Sequence, residues 1–345
     1  RRRGMMRLNH RNLHTERVVQ EHLVDQLLSL QGYRRRQPGD HDRGLAVDRK
    51  LVVEFLSSSQ PEEWAKLVDH YAGQAEEIMF EQLARALKDR GALDVLRRGL
   101  KLVPGIKFSL CFFKPASALN PDLVRKFESN ILSVIEEVEY STKHGGRIDV
   151  VLYVNGLPFA TMELKNLLTG TSHKHAEKQY KTDRSPAGEP LLTFKRGRDG
   201  GAGNPDIAHE FRIAYLYADQ PEGKAVLGRE VLLDIIGRFV FVEREEKERD
   251  DGTTIVEEVL IFPRFQQLDA VRKLMADAKA HGAGHNYLIQ HSAGSGKSNT
   301  IGWAAHQAVN LHTDDDESVF HTAIIVTDRL VLDRQLQKTV TDLEQ

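Results

Sequence analysis

The sequence predicts an α/β protein made of two unlike parts: a mixed helix–strand N-terminal domain and a C-terminal block of alternating strands and helices. Three observations predict this. Residues 147–165 read as two short strands joined by Asn155-Gly156, and Asn-Gly between apolar runs is the strongest short-range hairpin signal. Residues 263–343 read as helix, strand, glycine-rich loop, helix, acidic loop, strand and helix, the order that builds a parallel sheet. A chain of 345 residues is long enough to bury two cores. The expected division is a domain over 1–240, a charged linker over 241–262, and a second domain over 263–345.

Composition narrows the function classes. The net charge is only -2, so a nucleic-acid surface must be a local patch rather than a global bias. The single cysteine, Cys111, excludes an internal disulfide framework and a cysteine-rich zinc site. Set between Leu110 and Phe112, it reads as core packing. No apolar run approaches the ~20 residues needed to cross a bilayer. The basic opening RRRGMMR is followed by no apolar stretch, so it is not a secretory signal, and it places Met5 or Met6 nearer the true start. The expected compartment is a reducing cytoplasm, with no membrane partner.

Taken in order, residues 14–30 have helical apolar spacing with Thr15 as N-cap. Glu16 and Glu21 fall in or near the first turns, where an acid is ordinarily favoured by the helix dipole. Glu16 is also the candidate to point at a metal site. Residues 61–98 are helix-rich, opened by Pro61-Glu62-Glu63. A strand is expected at 107–113. Pro121–Glu139 reads as a helix, interrupted or ended near Ser129-Asn130. Strands follow at 147–154 and 158–165, then a helix at 173–184. Asp199–Gly203 reads as a loop, Leu232–Val242 as a buried helix or strand, and Glu243–Asp251 as a charged surface turn.

The hairpin carries the first chemistry. Side chains alternate along a strand, so Glu163 and Lys165 share a face, Thr161 joins them, and Asp149 can face the same side. Two carboxylates can hold Mg²⁺ and make its water a nucleophile near neutral pH. A neighbouring lysine orients that water and neutralises charge in the transition state. Asp149 and Glu163 are therefore candidate metal ligands and Lys165 their electrostatic partner. The spacing alone is a weak pattern, since acids and lysines at strand ends are usually just solvated. Residues 161–198 nevertheless hold eight Lys/Arg against four Asp/Glu, a local excess suited to a phosphate backbone. A basic helix is as often a solvated face.

The second chemistry lies at Gly294-Ser295-Gly296-Lys297-Ser298. An apolar Tyr287-Leu288-Ile289 precedes it and a helix follows, the context a phosphate loop requires. Backbone N–H groups and the helix start cradle phosphates, Lys297 meets the β/γ charge of ATP, and Ser298 takes Mg²⁺. The strict pattern asks for glycine at 291, where this chain has His291. The bland reading is a glycine-rich turn before an ordinary helix.

RIDVVLYVNGLPFATMELKNLLTG, followed by KQYKTDRSPAGEPLLTFKR, resembles the nuclease domain of the restriction (R) subunit of type I restriction enzymes. That resemblance implies a PD-(D/E)xK restriction-endonuclease-like domain. It places the first acid on Asp149, the E-x-K element on Glu163 and Lys165, and a glutamine–tyrosine element on Gln179 and Tyr180. The N-terminal HTER is also similar, which makes Glu16 an additional acid of the metal site. Pro263-Arg-Phe-Gln-Gln267 is similar to the adenine-sensing glutamine motif of superfamily 2 motors, with Gln267 as base reader. Ala323–Arg329 and Leu332–Gln335 resemble motif Ia, and HSAGSGKSNT matches the R subunit more closely than helicases at large. The C-terminal block is thus identified as the first part of a RecA-like P-loop motor lobe.

The resemblance implies Mg²⁺ and ATP as cofactors, and double-stranded DNA, a methyltransferase subunit and a specificity subunit as partners. It also implies an insert after Leu191–Arg196, and an acidic Walker B motif and second motor lobe beyond motif Ia, none of which this sequence contains. Three rival readings remain. They are a superfamily 2 helicase or translocase whose N-terminal domain only binds DNA, a non-enzymatic nucleotide-binding scaffold, and a stand-alone nuclease.

Overall fold

The computed structural model describes residues 16–165, 173–184, 189–192, 196–197, 226–249, 252–292, 294–327 and 337. Thr15, the glycine-rich loop at 199–203 and the helix expected at 331–343 (Gln337 apart) lie outside the described residues. The fold is α/β, and the chain forms two compact units. One comprises Arg1–Phe112, Ser129–Phe194 and Tyr215–Val231; the other comprises Phe113–Glu128, Lys195–Ala214 and Leu232–Gln345.

The first unit is organised on a four-stranded sheet. Helix α1 (Glu16–Leu30) leads into β1 (Arg34–Arg36). Helices α2 (Arg49–Ser59), α3 (Pro61–Tyr71) and α4 (Ala75–Arg98) follow. Pro61 sits in the first turn of α3, where its missing N–H costs nothing. Strands β2 (Leu100–Leu102) and β3 (Ile106–Phe108) form a small antiparallel pair, a shorter strand than the one expected at 107–113. After helix α5 (Pro121–Glu128), which belongs to the second unit, the first unit resumes with β4 (Leu132–Glu139), β5 (Arg147–Val154) and β6 (Leu157–Met162). Strand order is β1-β4-β5-β6, with β1 parallel to β4 and the rest antiparallel.

The helix expected over Pro121–Glu139 is therefore a correction in its second half. Val134, Ile135 and Val138 are β-branched and fully buried, and such side chains pack better on a pleated surface than in a helix. The hairpin expectation holds. Asn155 (φ 52) and Gly156 (φ 84) both have positive φ, as a two-residue hairpin turn of the favoured twist requires. This turn is buried. Asn155 donates to the Leu110 carbonyl at 2.9 Å and accepts from Ile131 N–H at 2.6 Å. The Gly156 carbonyl accepts from Asp48 N–H at 2.8 Å. Asp48 caps α2 through Leu51 N–H at 3.1 Å and holds Arg36 of β1 by two bonds of 2.7 and 3.2 Å. One turn thus ties the hairpin, the α2 N-terminus and the edge strand together.

Helix α6 (His173–Lys178) runs into a π-helical turn over Gln179–Asp183. Cys111 is buried and its thiol is pushed up to about 12 by burial, consistent with a packing role.

In the second unit, β7 (Arg196–Gly197) pairs in parallel with the later of two long strands. Helix α7 (Arg229–Asp234) straddles the boundary between the units and continues into a π-helical turn, Ile235–Phe239. Strands β8 (Phe241–Glu248) and β9 (Thr254–Ile261) form an antiparallel hairpin. The charged linker expected at 241–262 is therefore a strand pair. Arg244, Glu246, Lys247 and Glu248 are exposed, while the Phe241–Ile261 pair at one end of the ladder is buried.

Helices α8 (Phe265–His281) and α9 (Lys297–Val309) pack on one another. Trp303 is fully buried there, donates to the Phe239 carbonyl at 2.8 Å, and packs on Phe239 and Phe241. The strands expected at 287–290 and 321–327 are not formed. A parallel strand has all its ladder bonds with neighbours, and these segments have none among the described residues. Leu288, Ile324 and Val326 stay exposed.

Candidate active site

The hairpin register sets the geometry of the acids. On β5 and β6, Val150 opposes Met162 and Val151 opposes Thr161, so the next pair outward is Asp149 with Glu163. On the other side, Glu136 opposes Val150 and Val138 opposes Ile148, which leaves Glu137 across from Asp149. Asp149 therefore sits between two glutamates. Glu163 and Lys165 follow just after β6 rather than within it.

Each group has a defined partner. Oδ2 of Asp149 accepts from the Leu164 N–H at 2.6 Å, fixing the chain as it leaves β6. Lys165 Nζ lies 2.8 Å from Glu163 Oε1, and Arg184 Nη2 lies 2.7 Å from Glu163 Oε2. Tyr180 donates its O–H to Thr161 at 3.0 Å and packs on the core beneath the sheet. The Arg184 guanidinium also donates to the Arg147 carbonyl at 2.9 Å and lies over the rings of Tyr180 and Tyr140.

Burial raises the Asp149 carboxyl above the usual aspartate range, and the charges of Glu163 and Glu137 push the same way. The Leu164 N–H and Lys165 oppose them without prevailing. The carboxylate is thus energetically raised in the absence of a cation. Burial likewise raises the Tyr180 phenol, keeping it a neutral donor.

Glu16 is brought to the same place. It lines a cleft of about 790 Å³ together with Asp149, Glu136, Glu137, Arg35 and Arg36. Glu163 is not in that lining, being engaged by Lys165 and Arg184. The residues present fit a hard divalent cation. Asp149, Glu137 and Glu163 occupy neighbouring strand positions at one sheet end, without three of these carboxylates gathering their oxygens within 4.8 Å of one another, and Oε1 of Gln179 is buried with no hydrogen-bond partner among the described residues.

Sequence reasoning missed two residues here. Glu137 was hidden by the helical reading of 121–139, although its β-branched neighbours were the available signal. It holds a positive φ of 52, a conformation that costs a non-glycine residue about 1–3 kcal/mol and that clusters at functional sites. Arg184 was noted only as part of a basic helix; nothing in the spacing marks it as the clamp on Glu163.

The phosphate loop is assembled in the second unit. Gly294 (φ 73) and Gly296 (φ 81) take the left-handed backbone region, Ser295 N–H donates to the Ser292 carbonyl at 3.4 Å, and Gly296 caps α9. Lys297 Nζ donates to the carbonyls of His291 at 3.2 Å and Ser292 at 2.9 Å, so the charge lies across the loop. Ser295 is buried with its hydroxyl lacking a partner among the described residues, and Ser298 is half-buried on the first turn of α9. Gln267 is nearly fully buried. Its carbonyl oxygen accepts from Arg264 N–H at 2.8 Å, and its amide donates to the carbonyls of Gly296 at 2.8 Å and Ser295 at 3.3 Å. The side chain expected to read a base is, in this structure, committed to holding the loop.

Residues 14–196, more than half the chain, match the family model described as type I restriction enzyme R protein N terminus. The chain belongs to the type I restriction enzyme R proteins. Residues 266–345 match the SWI2/SNF2 ATPase family, so this R protein joins a restriction-enzyme N terminus to an ATPase-like region. No curated protein matches it closely enough to add a relative. No helix among the described residues of this R protein is long and apolar enough to cross a membrane.

Proposed function

We propose that this R protein is the Mg²⁺-dependent endonuclease and the start of the ATP-driven motor of a type I restriction enzyme. It cuts double-stranded foreign DNA away from the recognition site, after translocation, in complex with methyltransferase and specificity subunits. The observation that carries this reading is the row of acids across the sheet, with Asp149 half-buried, raised in energy and facing Glu163, whose own charge is met by Lys165.

Asp149 and Glu163 would hold Mg²⁺, with Glu16 on the adjoining cleft wall. Bound there, the ion supplies Lewis acidity to a phosphoryl oxygen and to the attacking water. Lys165 orients that water and offsets the negative charge that develops on the phosphate. Tyr180, anchored on Thr161, fixes the helix that presents Gln179 and Arg184 to the site. In the second unit Lys297 would exchange its two loop carbonyls for the β/γ-phosphates of ATP, and Ser298 would take the accompanying Mg²⁺. Gln267 supports that loop, and sensing adenine would require its amide to leave the Ser295 and Gly296 carbonyls.

The test is cleavage of circular DNA by the full-length R protein with its partner subunits, with and without ATP. Lys165→Ala should abolish cutting and spare ATP hydrolysis, while Lys297→Ala should abolish both. Retained cutting by Lys165→Ala, or cutting without ATP, overturns the reading.

A further inference from the structure

The end of α8 gathers three metal-ligating side chains. Asp277 and His281 stand one turn apart on one helix face. The helix ends at His281, Gly282 takes φ 74 and Gly284 φ 115, and the chain turns back. That return sets the His285 ring on the His281 ring, centroids 4.9 Å apart and 30° from parallel. We propose that Asp277, His281 and His285 form a site for one divalent transition-metal ion, with zinc the best match to two imidazoles and a carboxylate.

The distances carry the proposal. His281 Nδ1 lies 3.1 Å from Asp277 Oδ1, and His285 Nδ1 lies 3.3 Å from Asp277 Oδ2. One atom from each of the three side chains falls within 4.8 Å of the other two. Tetrahedral zinc, with bonds of about 2.0–2.2 Å, sets its ligand atoms about 3.3–3.6 Å apart. Both histidines are exposed, so the fourth position is open to water. Nitrogen-rich mixed donors select zinc, cobalt or copper over magnesium.

Tyr287 donates its O–H to Asp277 Oδ2 at 2.8 Å, the kind of contact that orients a ligating carboxylate. Because His285 and Tyr287 open the segment that leads into the phosphate loop, a bound ion would staple that segment to the end of α8. This site is independent of the nuclease and of the ATP reading.

The test is titration of the complete chain with Co²⁺, in excess Mg²⁺ to saturate the all-oxygen sites, read by visible absorption. One equivalent should give the intense bands of a low-coordinate nitrogen-containing site, and Zn²⁺ should abolish them by displacement. Asp277→Asn, nearly isosteric, and the double variant His281→Ala/His285→Ala should lose the bands while keeping the helical circular dichroism. Tyr287→Phe should weaken binding roughly tenfold. Absence of the bands in the parent chain, or their persistence in the double variant, overturns the proposal.

Discussion

Arg184 Nη2 lies 2.7 Å from Oε2 of Glu163, and the two side chains are only 10% and 5% exposed. With Lys165 on the other oxygen, one carboxylate is held between two cations. A divalent ion arriving at Glu163 must compete with that clamp. Arg184→Ala should therefore lower the concentration of Ca²⁺, a non-cleaving probe, needed to half-saturate the site. It should also destabilise the metal-free chain by about 2 kcal/mol, less than a wholly stranded buried charge would cost because Lys165 remains. Calorimetric titration and urea denaturation read the two effects. Weaker Ca²⁺ binding would refute the competition.

Asp149 gives a prediction whose sign follows from its raised carboxyl. Below the usual aspartate range the group is protonated in both folded and unfolded chains and contributes nothing. As pH rises from there through the raised folded value, the unfolded chain ionises first, so folding stability falls. Asp149→Asn keeps an acceptor for the Leu164 N–H and removes the charge. It should be more stable than the parent in chelator at pH 7.5, with the gain vanishing toward acid pH, while losing metal binding and cleavage. Thermal melts at several pH values check this; a uniform gain at all pH values would contradict it.

The same acids show what a sequence can and cannot display. Asn155-Gly156 announced the hairpin because few dipeptides adopt two positive φ values, and the two strands placed Asp149, Glu163 and Lys165 together. Glu137 was illegible because a run with charged residues at 136, 137 and 139 suits a solvated helix as well as a strand. Only the pairing of β4 with β5 decides between them. Arg184 was hidden differently: its partner lies 21 residues away, and a π-helical turn sets its direction. In the second unit the phosphate loop was legible from its glycines. Strand pairing at 287–290 and 321–327 was not, since apolar runs specify burial only when neighbours exist to cover them.

Gly156 should tolerate no side chain. A Cβ there would stand 2.6 Å from the Asp48 carbonyl oxygen and 2.8 Å from the Val52 nitrogen, at a φ of +84. The φ alone costs about 1–2 kcal/mol for an L-residue, and both neighbours belong to the start of α2, which cannot yield without losing its cap. Gly156→Ala should lose about 3 kcal/mol of stability. Since this turn, together with the register shift between Leu152 and Tyr153, sets Asp149 against Glu163, Ca²⁺ binding should weaken as well. Equilibrium denaturation with a parallel Ca²⁺ titration tests both, and near-parental stability would show that the turn is not a fixed point.

Gln267 makes the last prediction, at the other site. A Cβ on Gly296 would meet its amide nitrogen at 2.5 Å, so side chain and loop are in direct contact, and the amide donates to two loop carbonyls. Those carbonyls must point away from phosphate for the N–H groups to point toward it. Gln267→Ala removes that restraint and leaves Lys297 and Ser298 untouched. Nucleotide affinity should fall about tenfold, near 1.4 kcal/mol, the worth of one or two well-placed hydrogen bonds. Comparing ATP with inorganic tripolyphosphate separates two contributions. Equal losses for both ligands mean that Gln267 acts through the loop, whereas a loss confined to ATP means that its amide turns to the adenine on binding.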